Sequence, residues 1–232
     1  MNDCLVLLNP RDIPECMSAF EQLDIPRIHI VGHNEMSIMT DGFDKAIEIA
    51  DAEGFDWLWW ISDDAIVRQP ALAAVRSLRD EGHPVVTGYS NMTHDNWYVN
   101  LCKTPLAKPT PVVDAYDLYR FHEVIGYPDP VVPTFFGGFC LTGMSLDMWR
   151  YYPFGCFGGG ASDNQDGYGS DFSLSWRLQT DMVPIVAARD GFCFHWRWNW
   201  LTMPKMTARE AKAMMNLMIP TFDHPAVELR LP

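Results

Sequence analysis

An apolar run rich in tryptophan stops at two adjacent aspartates, Asp63 and Asp64, within FDWLWWISDDAIV, residues 55–67. The run has the length of a buried strand, and a strand that ends in carboxylates places them at the carboxyl edge of a sheet. Open α/β folds bind their ligands at that edge. These oxygen ligands suit Mg²⁺ or Mn²⁺, with room left for the phosphate oxygens of a nucleoside diphosphate. Two structural alternatives stay open: the pair caps a helix that begins near Pro70, or it is a solvated turn.

Length and composition favour one soluble globular domain. The chain has 232 residues, 48% of them apolar, which is enough to bury a sizeable core. Thirty acidic residues against 17 basic ones give a net charge of −13, which opposes unaided binding to nucleic acid or anionic membranes. A phosphorylated ligand therefore needs a bridging cation. No apolar stretch is long enough to span a membrane and the N-terminus lacks the pattern of a signal peptide, so we expect a soluble, cytoplasmic protein.

Strands and helices are predicted to alternate through the first third of the chain. Apolar runs and helical spacing predict strands at residues 4–8, 28–31, 57–61 and 84–88, and helices at residues 14–23, around 43–50 and at 70–80. This order implies a parallel sheet with right-handed crossovers. Residues 91–133 are rich in proline and lack a sustained period, so loops and short strands are expected there. Beyond them we expect a strand, a helix that reaches Tyr151, and a further helix with one face formed by Phe172, Leu174 or Ser175, and Leu178.

Three later features are candidates for ligand binding or catalysis. Gly137 and Gly138 follow two phenylalanines, where the absence of a Cβ lets the backbone approach a ligand. Asp171, near the start of a predicted helix, is either a functional carboxylate or a favourable charge against the helix dipole. His195 alternates with aromatic residues as in a strand, and it is either a hydrogen-bonded core residue or a metal ligand.

Four segments in order, ISDDAIV, FFGGFCLTG, GYGSDFSLSWRL and FCFHW, resemble the GT-A class of nucleotide-sugar glycosyltransferases, particularly its broad family-2-like group. In that class a strand ends in a D-x-D metal motif and a Gly-Gly segment lines the donor sugar. A G-E-D-type helix start supplies the base, and a later histidine completes the metal coordination. The resemblance covers roughly residues 1–200. It implies an α/β fold: a single GT-A (Rossmann-like, nucleotide-diphospho-sugar transferase) domain with a mostly parallel central sheet flanked by helices.

The resemblance also implies a role for each matching residue. It implies a Mn²⁺ or Mg²⁺ ion held by Asp64, Asp63 and His195. It implies Asp171 as the base of an inverting hexosyl transfer from a UDP- or GDP-sugar to the hydroxyl of a carbohydrate or other acceptor. The residues expected to contact the donor are Gly137, Gly138, Ser62, Asp63 and Asn34. Residues 1–90 then form the donor-binding half, residues 91–205 the acceptor and catalytic half, and residues 206–232 a C-terminal helix and tail.

Two departures from the family pattern keep a second hypothesis open. Ser62 stands in place of the first carboxylate of D-x-D, and Ser170 stands in place of the glutamate of G-E-D. A non-catalytic GT-A-like module that binds glycans or a protein partner therefore remains an alternative. A sugar nucleotidyltransferase fits less well, because no Gly-rich, Arg-containing loop follows the first predicted strand. Metal-dependent binding of a nucleoside diphosphate separates the enzyme from the binding module.

Overall fold

The computed structural model contains one large sheet with helices on both faces, and it describes residues 2–9, 13–31, 36–91, 98–107, 116–152 and 170–195. The strands are β1 Asp3–Asn9, β2 Arg27–Val31, β3 Trp57–Ile61, β4 Ala65–Ile66, β5 Val85–Ser90, β6 Tyr98–Cys102, β7 Leu118–Arg120, β8 Val131–Thr134, β9 Thr142–Ser145 and β10 Ile185–His195. The helices are α1 Pro14–Glu21, α2 Met36–Ala52, α3 Gln69–Asp80, α4 Phe121–Ile125, α5 Leu146–Tyr151 and α6 Ser170–Thr180.

The strands of the large sheet follow the order β2-β1-β3-β9-β5-β10-β4, and β8 also pairs with β10. β1 is parallel to β2 and β3, and β5 is parallel to β10. β9 is antiparallel to both of its neighbours, β3 and β5, so β3 and β5 run in the same direction. The predicted α/β fold with a mostly parallel central sheet flanked by helices is confirmed.

Alternate residues of the central strands pack into two separate hydrophobic cores, one on each face of the sheet. On β3, Trp59 and Ile61 pack with residues of α1 and α3, whereas Leu58 and Trp60 pack with residues of α2, α5 and α6. Period-two alternation with apolar residues on both sides is expected of a strand that is covered on both faces. This pattern explains why the tryptophan-rich run is apolar throughout.

β9 brings a distant segment of the chain into the middle of the sheet, beside the end of β3. Gly143 makes this insertion possible, because a Cβ at that position would lie 2.2 Å from Cε3 of Trp59. The strand therefore fits beside the large indole rings of β3 only with a glycine there. The boundary predicted at residue 90 stays a prediction, and residues 206–232 lie outside the described residues.

The predicted elements agree with the structure, with one error in α6. The strand at residues 57–61 matches β3, and α6 begins just before Asp171. Phe172 was predicted to share a helix face with Leu174 and Leu178, and this prediction is wrong. The ring of Phe172 packs on Phe136 instead, with the ring centroids 4.3 Å apart. Leu174 and Leu178 belong to the core beneath α2 and α5. Two residues along a helix differ by about 200° in direction, which separates Phe172 from Leu174.

A buried ion cluster fixes the amino end of β1 against α3. The Asp3 carboxylate accepts hydrogen bonds from Arg76 at 2.7 Å to each oxygen, from Trp59 Nε1 at 2.8 Å, and from Arg79. Burial alone would raise the pKa of Asp3, but the hydrogen bonds from Arg76 and Trp59 and the charges of Arg79 and Arg76 outweigh it, so the pKa is lowered.

We expect Asp3→Asn to lower the free energy of unfolding at pH 7 by about 2–3 kcal/mol, because two arginines lose their buried counter-ion. The folded-state pKa of Asp3 is below its usual value, so this stabilisation is present above about pH 4 and is lost as pH falls through the folded-state pKa. Urea denaturation at pH 7 and pH 3 measures both effects. Equal stability of the variant and the wild type at pH 7 would contradict the expectation.

Among the described residues, no helix has the length and apolar character needed to cross a membrane.

Candidate functional site

The predicted acidic motif forms a buried turn at the end of β3. The backbone N–H of Ala65 donates to the carbonyl of Ser62 at 3.0 Å, which closes the turn between β3 and β4. Asp63 and Asp64 are only 4% and 2% exposed, so this is not a solvated turn. Arg68 is the N-cap residue of α3, so neither aspartate occupies that position. The solvated-turn alternative is therefore excluded, and the helix that begins near Pro70 has a different N-cap residue.

The structure joins Asp64 to His195. The short strand β4 pairs antiparallel with the end of β10 and aligns Ala65 with His195. As a result, Nε2 of His195 lies 3.0 Å from Oδ2 of Asp64, although the two residues are 131 positions apart. The hydroxyl of Ser62 donates to Oδ1 of the same carboxylate at 2.5 Å. Asn91 Oδ1 accepts the backbone N–H of His195 at 3.3 Å and helps to fix the end of β10.

Asp64 and His195 are hydrogen-bonded to each other, and their separation would also suit two ligands of one divalent cation. Neighbouring ligands of an octahedral ion of this size lie about 3 Å apart, and the two side-chain atoms are 3.0 Å apart. A carboxylate oxygen suits Mg²⁺ and Mn²⁺, whereas an imidazole nitrogen suits transition metals, so this donor pair favours Mn²⁺. Within the described residues, no three His, Cys, Asp or Glu side chains converge in a metal-binding cluster. Metal binding by Asp64, His195 and Asp63 therefore stays a prediction.

The Gly-Gly segment lies directly beside this turn. The carbonyl of Phe139 accepts the backbone N–H of Ser62 at 2.6 Å, and the carbonyl of Gly138 accepts the hydroxyl of Thr142 at 2.6 Å. A Cβ at Gly138 would lie 2.1 Å from Nδ2 of Asn100, so a neighbouring side chain accounts for the glycine there. Gly137 has more room, with its nearest neighbour 3.5 Å from an added Cβ. Contact of either glycine with a donor sugar stays a prediction.

α6 places Asp171 on the side of the helix that faces the Gly-Gly segment. The hydroxyl of Ser175 accepts the backbone N–H of Gly137 at 3.2 Å. Asp171 lies four residues before Ser175, which puts the two side chains on one face of the helix, a single turn apart. Burial raises the pKa of the Cys102 thiol to about 12, and the charges of Asp117 and Asp171 add to the effect. Asp171 is therefore within electrostatic reach of β6.

The environment of Asp171 suits a proton acceptor. Asp171 is partly buried, and its desolvation raises its pKa to about 6, although hydrogen bonds from the backbone N–H groups of Phe172 and Asp171 lower it in part. The carboxylate also lies in the first turn of α6, where a negative charge interacts favourably with the positive end of the helix dipole. A carboxyl group with a pKa near 6 is largely ionised at pH 7 and takes up a proton more readily than an ordinary aspartate.

A continuous series of contacts connects His195, Asp64, Ser62 and the Gly-Gly segment with Ser175 of α6, one turn after Asp171. It runs from His195 to Asp64, then from Ser62 through Phe139 to the Gly-Gly segment and so to α6. Asn34, the remaining predicted donor contact, lies outside the described residues.

Sequence reasoning assigned no role in the site to the side chains that hold these parts together: Asn91, Asn100, Thr142 and Ser175. Asn100 carries a signal in the sequence, since it is a polar residue within the apolar alternation YVNLC. Ser175 carries a weaker one, because it shares a helical face with Asp171. Asn91 and Thr142 have no comparable signal, since their partners are distant in sequence.

Comparisons with known proteins agree with the α/β fold. No protein-family model and no curated protein sequence matches the chain. The crystal structure of A197 from STIV is similar with a TM-score of 0.53 and 13% identity, over 81% of each chain. GalNAc-T7 with UDP, GalNAc and Mn2+ has a TM-score of 0.49 and 8% identity, over 84% of this chain and 44% of that one. CMP:2-keto-3-deoxy-manno-octonic acid synthetase complexed with CTP has a TM-score of 0.42 and 12% identity, over 81% and 89%. At these identities the likeness to A197 concerns the fold alone, and the two weaker likenesses support no functional conclusion.

Proposed function

We propose that this chain is a metal-dependent glycosyltransferase of the hexosyltransferase class, which moves a sugar from a nucleoside-diphosphate donor to an acceptor hydroxyl. The contact between Asp64 and His195 carries the proposal. Both residues were selected from motifs far apart in the sequence, and both reach one point with a separation that suits neighbouring metal ligands. The carboxyl edge of the sheet is where α/β folds bind nucleotides.

In this proposal Asp64 and His195 hold the Mn²⁺ or Mg²⁺ ion, with Asp63 as a further ligand. The bound cation supplies Lewis-acid stabilisation of the diphosphate leaving group. Ser62 fixes the orientation of the Asp64 carboxylate through its short hydrogen bond. The proposed donor contacts are Ser62, Asp63, Gly137, Gly138 and Asn34.

Asp171 acts as the general base. Its carboxylate takes the proton of the acceptor hydroxyl while that oxygen forms a bond to the anomeric carbon, and the bond from this carbon to the diphosphate oxygen breaks on the opposite face. Attack opposite the leaving group inverts the configuration at the anomeric carbon. The raised pKa of Asp171 supports this role, because a stronger base removes the proton more readily.

The proposal is tested by incubating the protein with Mn²⁺ and a panel of UDP-, GDP-, ADP- and CDP-sugars. Chromatography measures the nucleotide that is released. Hydrolysis of the donor, in which water takes the place of the acceptor, reports donor use without a known acceptor. We expect one nucleotide class to be consumed, and the reaction to stop with EDTA or Asp64→Asn. Asp147→Asn is the matched control, because that carboxylate is 93% exposed on α5. If the folded protein consumes no donor, the binding-module alternative is favoured.

A further inference from the structure

The short strands β6 and β7 form a two-stranded ribbon at the border of the candidate site. β6 and β7 are antiparallel, and their register places Tyr98 opposite Arg120. Val99 and Leu101 point into a core with Tyr89 and Val132. Tyr98 and Asn100 alternate with these buried residues and are partly exposed, and the register of β6 on β7 shifts between Tyr98 and Cys102. The partly exposed face of the ribbon therefore carries polar and aromatic groups.

Two contacts position this face next to the proposed metal ligand His195 and the Gly-Gly segment. Asn91 forms an antiparallel bridge with Val99, and its side chain accepts the backbone N–H of His195. The Asn100 amide accepts the backbone N–H of Ser90 at 2.6 Å and lies against Gly138. The ribbon therefore borders both the metal-binding side of the site and the Gly-Gly segment.

The side chains on this face have the chemistry of a carbohydrate-binding surface. The guanidinium of Arg120 stacks over the ring of Tyr98, 5.4 Å from its centroid, and donates to the Tyr98 hydroxyl at 3.4 Å. Arg120 is exposed, and among the described residues its guanidinium forms no ion pair; the neighbouring Glu123 carboxylate accepts the backbone N–H of Arg120 at 2.6 Å and pairs with Lys103 at 2.8 Å. Aromatic rings pack against the C–H faces of sugars, and arginine binds carboxylate or sulfate groups with paired hydrogen bonds.

We infer that Tyr98 and Arg120 bind the acceptor and that the acceptor is an acidic carbohydrate, with its anionic group at Arg120. The Asn100 amide holds the ribbon against Ser90 and Gly138. The identification of the ligand as the acceptor rests on the proposed function, but binding of this class of ligand to the surface can be tested independently. A chain with a net charge of −13 disfavours an anionic ligand in general, so such a ligand needs a local cation. Arg120 supplies that cation beside the site.

A glycan array that carries neutral, uronic-acid, sialic-acid and sulfated glycans tests the inference directly. We expect the wild type to bind acidic glycans and to prefer them to their neutral counterparts. The acidic class that binds distinguishes a carboxylate from a sulfate. Arg120→Ala and Tyr98→Ala should each weaken binding about tenfold, the effect of losing one charge-assisted or stacking contact. Arg177→Ala is the matched control, because Arg177 also stacks on a tyrosine, Tyr152, at 5.2 Å.

Absence of acidic-glycan binding, equal binding of neutral glycans, or unchanged binding by Arg120→Ala would each overturn the inference. Arg120 is exposed, so its variant is expected to fold even if Tyr98→Ala does not. Titration of nucleotides into the same variants keeps the two proposals apart. Glycan binding without any nucleotide binding would remove the transferase proposal and retain the surface, whereas nucleotide binding without glycan binding would do the reverse.

Discussion

Replacing Asp64 with alanine is expected to raise the dissociation constant for Mn²⁺ about 100-fold or more. The change removes a ligand oxygen and leaves His195 without the carboxylate that lies 3.0 Å from it. Loss of an outer contact alone costs about 10- to 100-fold in metal affinity, and loss of a direct ligand costs more. Electron paramagnetic resonance of free Mn²⁺ during titration measures this affinity without any need for a substrate.

Three further variants make the metal prediction specific. Asp64→Asn keeps the volume of the side chain and should lose most of the affinity, with thermal unfolding as the check that the protein is folded. His195→Ala should act in the same direction. Ser62→Ala should have a smaller effect, about tenfold, because its hydroxyl only orients the carboxylate. Wild-type Mn²⁺ affinity in both Asp64→Asn and His195→Ala would show that this pair does not bind the cation.

Asp171→Asn is expected to lower the rate of sugar transfer by roughly 10²- to 10⁴-fold, which is the usual contribution of a general base. The dissociation constant for the nucleotide should stay within about twofold, since Asp171 acts on the acceptor. In the wild type, kcat/KM should rise with pH, reach half of its maximum near pH 6 and level off above about pH 7, because only the ionised carboxylate accepts a proton. A flat pH profile or a fully active variant would contradict the assignment.

The same substitution should stabilise the protein at pH 7. The pKa of Asp171 is raised from 3.8 to about 6, so the folded state binds this proton more tightly than the unfolded state does. Stability linked to this group is therefore fully present below pH 3.8 and is lost as pH rises through about 6. An asparagine has no charge to desolvate, and we expect a gain on the order of 1 kcal/mol in unfolding free energy, since Asp171 is partly exposed. Lower stability at pH 7 would indicate a structural role instead.

Local patterns in the sequence were enough to place the end of β3 and the start of α6. The tryptophan-rich run and the charged residues after it mark a strand with both faces covered, and this fixed the position of Asp63 and Asp64 at the edge of the sheet. The structure added the alignment of His195 with Ala65. That pairing joins strands about 130 residues apart, and no local period encodes it.

The role of Gly138 shows where sequence reasoning stops. A glycine pair indicates that a side chain has no room, but it does not indicate what occupies the space. In the structure the occupant at Gly138 is the amide of Asn100, from a region in which only loops and short strands were predicted. The insertion of β9 between β3 and β5 could not be predicted for a similar reason, because it depends on Gly143 fitting against Trp59 across the sheet.

Calorimetric titration of UDP, GDP, ADP and CDP, with and without Mn²⁺, tests the central claim most directly. If the edge formed by Asp64, His195 and the Gly-Gly segment is a donor site, one nucleotide should bind with a micromolar dissociation constant only when Mn²⁺ is present, and Asp64→Asn should abolish that binding. A folded wild-type protein that binds none of the four, or binds one equally well without the metal, would contradict a metal-dependent nucleotide-sugar site.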